Sequence, residues 1–379
     1  MARLSPPAVL FALIGAAGLA LPLVQFKANR IVPGEGVGLS ALPFGLAVAA
    51  GLAAVLIAGC AAAWPAVLRL AAAIAGLVAV VLSLGAAASH LTPEGNTLAR
   101  VAPAAGFWLL ALGFGLMAAD AVNRLRPSLA LRWLLLAGAV ALAAGILASG
   151  ALDGVSVMRE YATRRDLFMR EAQAHLALAF GSLGLALLAG IPLGIAIFQG
   201  RRWRGTVLGV LNILQTIPSL ALFGIMIPIL GWVAAAVPGA AGAGVSGIGT
   251  FPALVALFLY ALLPVVSNTL AGLSGVPAAT REAAVGLGMT RTQVLAQVLV
   301  PLALPVLLAA VRIVLVQNIG LAVIAGLIGG GGFGTFVFQG LNQTAMDLVL
   351  LGALPTIALA LVAGIALDLA VQGARRGAA

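Results

Sequence analysis

Ten long apolar runs constrain this chain more than any other feature. They lie near residues 7–26, 41–63, 66–88, 103–122, 131–152, 173–198, 205–230, 251–273, 302–328 and 348–371. Each approaches the about 20 residues a helix needs to cross a bilayer core. A helix satisfies its own backbone hydrogen bonds in lipid, whereas an open strand does not. The ten-residue alternation of an outer-membrane barrel is absent. The chain therefore reads as an all-α polytopic membrane protein with about ten transmembrane helices. Only 8% of its residues are charged, against about 25% in a soluble domain. The first run is long for a signal peptide, and no clean small-x-small cleavage site follows it.

The net charge of +10 reads as topology rather than as an affinity for nucleic acid. With the N-terminus inside, the inner segments collect Arg3, Arg69, Arg124, Arg126, Arg132, Arg201, Arg202, Arg204, Arg281, Arg291, Arg375 and Arg376 against Asp120, Glu282 and Asp368. The outer segments balance Lys27, Arg30, Arg100, Arg159, Arg164, Arg165 and Arg170 with Glu35, Glu94, Asp153, Glu160, Asp166, Glu171 and Asp347. This is the positive-inside pattern, and both termini fall in the cytoplasm. The lone Cys60 permits neither an internal disulfide nor a Cys-based metal site, and His90 and His175 are far apart. No phosphate-binding G-x-x-x-x-G-K-[ST] loop occurs, since Lys27 is the only lysine; ATP, if it drives this protein, binds another chain. No cofactor is implied.

One polar stretch stands out between the later runs: Arg281–Pro301, REAAVGLGMTRTQVLAQVLVP. Pro277 suits the first turn of a helix, and Gly288 suits its left-handed end. Thr290 and Gln293 have capping-box spacing for a second helix, and Pro301 should then break or re-aim the chain. Helix–glycine–helix is also the outline of a DNA-reading motif. Flanking apolar runs hold both ends at a membrane, however, and Arg281 and Arg291 make no basic face. A knob of small residues that docks on a partner is the favoured reading; a plain loop is the other.

The stretch resembles the signature loop of permeases of binding-protein-dependent ABC importers: Glu-Ala-Ala, three residues, Gly, nine residues, then Ile-x-Leu-Pro. Here these are Glu282-Ala283-Ala284, Gly288 and Val298-Leu299-Val300-Pro301, with valines replacing the Ile and Leu. The resemblance implies that loop 277–301 is a coupling helix seated in a groove of a cytoplasmic ATP-binding subunit, with Glu282, Ala283, Ala284, Gly288 and Pro301 as its coupling residues. His175-Leu176, Ile191-Pro192-Leu193-Gly194, Asn212, Gln215-Thr216-Ile217-Pro218-Ser219, Gly329–Gly334 and Phe338-Gln339-Gly340 extend the likeness to the osmoprotectant branch, whose members move glycine betaine, choline, carnitine or proline betaine. This implies an accessory five-span region 1–152, an extracytoplasmic connector 153–172, and a type I permease core 173–379 in an inner (plasma) membrane. It also implies a second permease subunit, the same or a shorter relative, and an extracytoplasmic substrate-binding protein. Membrane lipid surrounds the chain, and no nucleic acid or catalytic site is expected. A permease for another solute such as an amino acid, and an ion-coupled secondary transporter, are the rival functions.

Several polar residues inside the runs are candidates for the path. Arg312 lies in the ninth run with Gln317 and Asn318 beyond it. A buried arginine costs roughly 2.5–3.5 kcal/mol on insertion scales, so it should pair, snorkel or face a water-filled path. Gln215, Thr216 and Ser219 surround Pro218, and Asn268 lies in the eighth run. These either line the path or satisfy backbone groups that a proline frees. Glu282 either favours a helix start or pairs with a basic residue of the ATPase. Gly329–Gly334 fits G-x-G-x-x-G, but no strand precedes it. It reads as a flexible or tightly packed re-entrant turn at the outer mouth. No aromatic cage is evident, because the tryptophans fall mostly near span ends.

Overall fold

A computed structural model describes residues 5–29, 32–60, 64–93, 95–96 and 98–377. Arg3, Arg30 and Glu94 of the charge argument lie outside the described residues, as does the side chain of Arg376. The chain divides into two compact units, Met1–Thr163 and Arg164–Ala379.

The first unit contains α1 (Pro6–Ala20), α2 (Gly45–Cys60), α3 (Ala66–Leu91), α4 (Ala105–Leu125), α5 (Leu129–Ala148) and the short α6 (Ser156–Thr163). Its core joins Leu52 and Leu56 of α2, Ala73 and Val80 of α3, and Leu110 and Phe114 of α4. α1 and α4 touch through glycine: a Cβ on Gly18 would stand 2.9 Å from the Gly106 carbonyl oxygen. Three strands form a small antiparallel sheet in the order β2 (Glu35–Gly38), β1 (Pro22–Lys27), β3 (Arg100–Pro103). The sequence reading did not anticipate it. The first apolar run is a 15-residue helix followed by a six-residue strand, because Leu21 precedes Pro22 and takes the extended backbone a pre-proline residue favours.

The second unit contains α7 (Arg165–Gln199), α8 (Arg204–Thr216), α9 (Ser219–Ala236), α10 (Thr250–Ser274), α11 (Ala278–Gly286), α12 (Arg291–Gln293), α13 (Val300–Leu321), α14 (Gly334–Asn342) and α15 (Met346–Gly377). α7 packs along α10 where Gly190 faces Val265 and Gly194 faces Thr269. α13 closes the layer through Val314, Leu315 and Ile319.

Among the described residues, eight helices are long and apolar enough to cross a membrane, and α1 and α2 are shorter apolar helices. The seventh run is two helices, α8 and α9, divided at Ile217-Pro218. Stretch 153–172 is largely helical: it holds α6 and the first eight residues of α7. Ser156 and Glu160 of α6 are buried, and Arg159 donates to the carbonyls of Asn96 and Ala99.

Candidate functional site

The helix–turn–helix that the sequence marks is built from three local devices. Pro277 is the N-cap of α11 rather than its first helical residue. At the other end Gly288 adopts φ 81°. Its N–H donates to Val285 O at 2.9 Å, and the Met289 N–H donates to Ala284 O at 3.2 Å. This is the paired bonding of a Schellman cap, which needs a left-handed residue. Thr290 and Gln293 then form a reciprocal capping box, with Thr290 N donating to Gln293 Oε1 at 2.8 Å.

Pro301 does not break the chain. A π-helical turn, Val294–Leu299, leads directly into α13, and the helical stretch runs from Arg291 to Ile328. Pro301 sits in the first turn of α13, and the π turn just before it is where the backbone adjusts to the proline's missing N–H.

The loop has an inner and an outer face. Ala284 is buried in a cluster with Leu273, Val294, Leu299 and Ala303, so it fastens the loop to the spans. Glu282 and Ala283 are exposed. Glu282 lies beyond the first turn of α11, which removes the helix-start reading of its carboxylate. Sequence reading missed Val285 and Leu287, whose side chains are 59% and 84% exposed. The exposed surface thus pairs an acid and a base, Glu282 and Arg281, with small and aliphatic groups.

The candidate path residues fall into separate neighbourhoods. Arg312 Nη1 contacts Asp368 Oδ1 of α15 at 2.5 Å, and Gln372 Nε2 donates to Asp368 Oδ2 at 2.8 Å. The arginine is therefore paired, with an acid that lies 56 residues along the chain. Gln215 Nε2 donates to Tyr260 O at 2.8 Å. That carbonyl precedes Pro264 by four residues within α10, so it is the one the proline leaves without an N–H. Tyr260 returns a hydrogen bond from its hydroxyl to Ile217 O, at the break between α8 and α9. The break and the proline site thus clamp each other. Thr216 bonds the Ile213 carbonyl and Asn268 the Pro264 carbonyl of their own helices. Ser219 opens α9, and Gln317 is half-buried on α13.

Asn318 is fully buried, and its Nδ2 donates to Ser182 Oγ of α7 at 2.8 Å. Its Oδ1 is buried without a hydrogen-bond partner. His175, seven residues before Ser182 and on the same helix face, accepts from the Phe333 N–H at 3.4 Å. The glycine turn before Phe333 is tightly packed. Gly331 and Gly332 take φ 75° and 86°, and a Cβ on either would stand 3.1 Å from Glu171 Oε2 or His175 Nδ1 respectively. Thr335 also donates to Glu171. Ser182, Glu171, Tyr260 and Asp368 were not singled out as site residues; each finds its partner across helices far apart in sequence.

Two family models match the chain. Residues 3–158 match the N-terminal domain of the ABC transporter permease YehY. Residues 186–376 match the inner membrane component of binding-protein-dependent transport systems. The osmoprotectant import permease protein OsmW of Salmonella typhimurium is 42% identical over 189 residues, 50% of this chain and 82% of that one. The choline transport system permease protein OpuBB of Bacillus subtilis is 37% identical over 50% of this chain and 79% of its own. The carnitine transport permease protein OpuCB of Listeria monocytogenes is 38% identical over 51% and 81%. A chain of the inward-facing MetNI methionine ABC transporter aligns with TM-score 0.48 and 26% identity over 55% of this chain and 96% of that chain. The chain belongs to the family of binding-protein-dependent transport system inner membrane components.

Proposed function

We propose that this chain is the permease subunit of an ABC importer for a quaternary-ammonium osmoprotectant such as glycine betaine. The observation that carries this reading is the capped loop 277–301, which turns Glu282, Ala283, Val285 and Leu287 outward from an anchored Ala284. The substrate class rests on relatives named for osmoprotectant, choline and carnitine transport.

In this account the termini and the loop are cytoplasmic. Two ATP-binding subunits each receive a coupling loop, one from this chain and one from a second permease subunit. An extracytoplasmic binding protein delivers the solute at the opposite end, beside the glycine turn. Residues 1–152 are accessory and 173–379 form the core. Gln215 and Arg312 act on the path indirectly, by holding helices in register, while Gln317 and Asn318 are the better candidates to meet solute. The chain itself makes and breaks no bonds.

The test is uptake by proteoliposomes that contain the chain with its co-purifying ATPase and binding protein. Labelled glycine betaine should enter only with ATP, and choline or carnitine should compete. Competition by an amino acid but by no betaine would move the substrate. Uptake abolished by a protonophore and indifferent to ATP would overturn the importer reading.

A further inference from the structure

One end of the first unit carries a basic cavity that the transport account leaves unused. It is an open cavity of about 520 Å³ lined by Asp120, Asn123, Arg124 and Arg126. The only acid in its lining is already engaged: Asp120 Oδ2 lies 2.7 Å from Arg124 Nε and 3.9 Å from Arg69 Nη1. Arg124 also donates to Ser5. Arg69, Arg124 and Arg126 therefore outweigh Asp120, and Arg132, whose Nε donates to Pro127 O, adds to the same end.

Arg126 is the telling residue. Its backbone N–H donates to Val122 O, but its side chain, which is exposed, has no hydrogen bond or ion pair among the described residues. Its backbone is left-handed, φ 45°, at the end of α4, a site that glycine or asparagine ordinarily fills. It also precedes Pro127, which favours an extended residue before it. An unpartnered arginine held in a conformation that disfavours it points to a ligand more readily than to stability.

The surroundings identify the kind of ligand. Trp64 and Val67 near the start of α3, and Trp133 and Leu134 near the start of α5, are exposed. Aromatic side chains at span ends mark the membrane interface, and the aliphatic ones continue into the apolar spans. A phosphate with two acyl chains would meet arginines at its head and these side chains along its tails. A free anion uses only the first half of the site, and the acidic face of a soluble protein would not cover exposed span residues.

We propose that this end of the first unit binds the phosphate of an anionic phospholipid. Clustered arginines at a span end attract such headgroups, and each surface cation adds to the attraction.

The full-length chain, purified in a neutral detergent, should be titrated with dioleoylphosphatidylglycerol, with dioleoylphosphatidylcholine and with inorganic phosphate, following thermal unfolding. Phosphatidylglycerol should stabilise it selectively. Arg126→Gly should need about fivefold more of that lipid for the same effect, while its stability in phosphatidylcholine is unchanged or raised, because glycine accepts the left-handed backbone. Arg126→Lys should keep most of the preference. Equal stabilisation by phosphatidylcholine would overturn the proposal. So would inorganic phosphate matching the lipid, or an Arg126→Gly titration like that of the parent. Loss of a co-purifying protein from Arg126→Gly with the lipid titration unmoved would likewise overturn it, in favour of a protein-docking face.

Discussion

The two units are built from helices of different kinds. In the second, α7, α9, α10, α13 and α15 each carry an internal proline: Pro192, Pro228, Pro264, Pro305 and Pro355. In the first, α2, α3, α4 and α5 carry none, and α1 has proline only in its first turn. An internal proline opens the hydrogen-bond ladder and makes a place to bend. At one of these openings the second unit supplies a cross-helix bond: Gln215 donates to the Tyr260 carbonyl that Pro264 frees. The first unit instead has glycine-mediated contacts between unbroken helices and a sheet. The comparison teaches where alternating access would reside: in the unit whose helices are already interrupted by proline.

The largest effect should come from overfilling the loop's anchor. Ala284→Trp places an indole where Leu273, Val294 and Leu299 leave room for a methyl. Overpacking of a filled core costs about 1–3 kcal/mol or more. We expect a lowered unfolding temperature together with lost ATPase association; an unchanged melting temperature would show that this face is not an anchor.

Next comes the Arg312–Asp368 pair. Arg312→Leu leaves the Asp368 carboxylate without its partner toward the end of α15, so the cost should fall below the about 2.5–3.5 kcal/mol of a charge at a helix centre. Arg312→Leu with Asp368→Leu should recover most of the lost stability and expression, since replacing both charges avoids the stranded one. If the double variant is as poor as the sum of the singles, the pair is not coupled. Recovered stability without recovered transport would place Arg312 in the solute's path.

A smaller effect tests the repair of a proline opening. Gln215→Leu should cost roughly 0.6–1.7 kcal/mol, the range for hydrogen bonds between membrane helices. Pro264→Ala restores an intrahelical N–H for the Tyr260 carbonyl and should suppress most of the Gln215→Leu loss of stability. Suppression of stability without suppression of transport would be the sharper outcome, because it would show that the opening itself serves movement. Smallest should be the effect of dividing the chain. A chain that begins at Arg164 behind a cleaved leader, so that α7 inserts in its native direction, should still capture the ATPase. Loss of capture by a properly inserted fragment would contradict an accessory first unit.

Much of the fold follows from apolar length, because a lipid-spanning backbone has few ways to satisfy itself. The capped loop was equally readable, since Gly288, Thr290 and Gln293 act on residues three or four positions away. What stayed hidden depended on distant partners or on short elements. The strands at 22–27, 35–38 and 100–103 are short; the last two lie between apolar runs, and only the Leu21-Pro22 step marks the first. Asp368 lies 56 residues from Arg312, so nothing local proposes the pair. Gln215 stands beside Pro218 in sequence, yet the carbonyl it serves is the one Pro264 frees. The Glu-Ala-Ala signature treats Ala283 and Ala284 alike, whereas one helical step of about 100° turns one outward and the other inward.

The central claim is that the outward face of loop 277–301 holds an ATPase. The most direct measurement is co-purification of the tagged chain from native membranes, with mass spectrometry of what accompanies it, beside Leu287→Asp. Leu287 is largely exposed, so its replacement should leave stability within about 0.5 kcal/mol of the parent's. The account predicts an ATP-binding subunit with the parent chain and its loss from the variant. No ATPase with an abundant parent chain, or undiminished capture by Leu287→Asp, would contradict it.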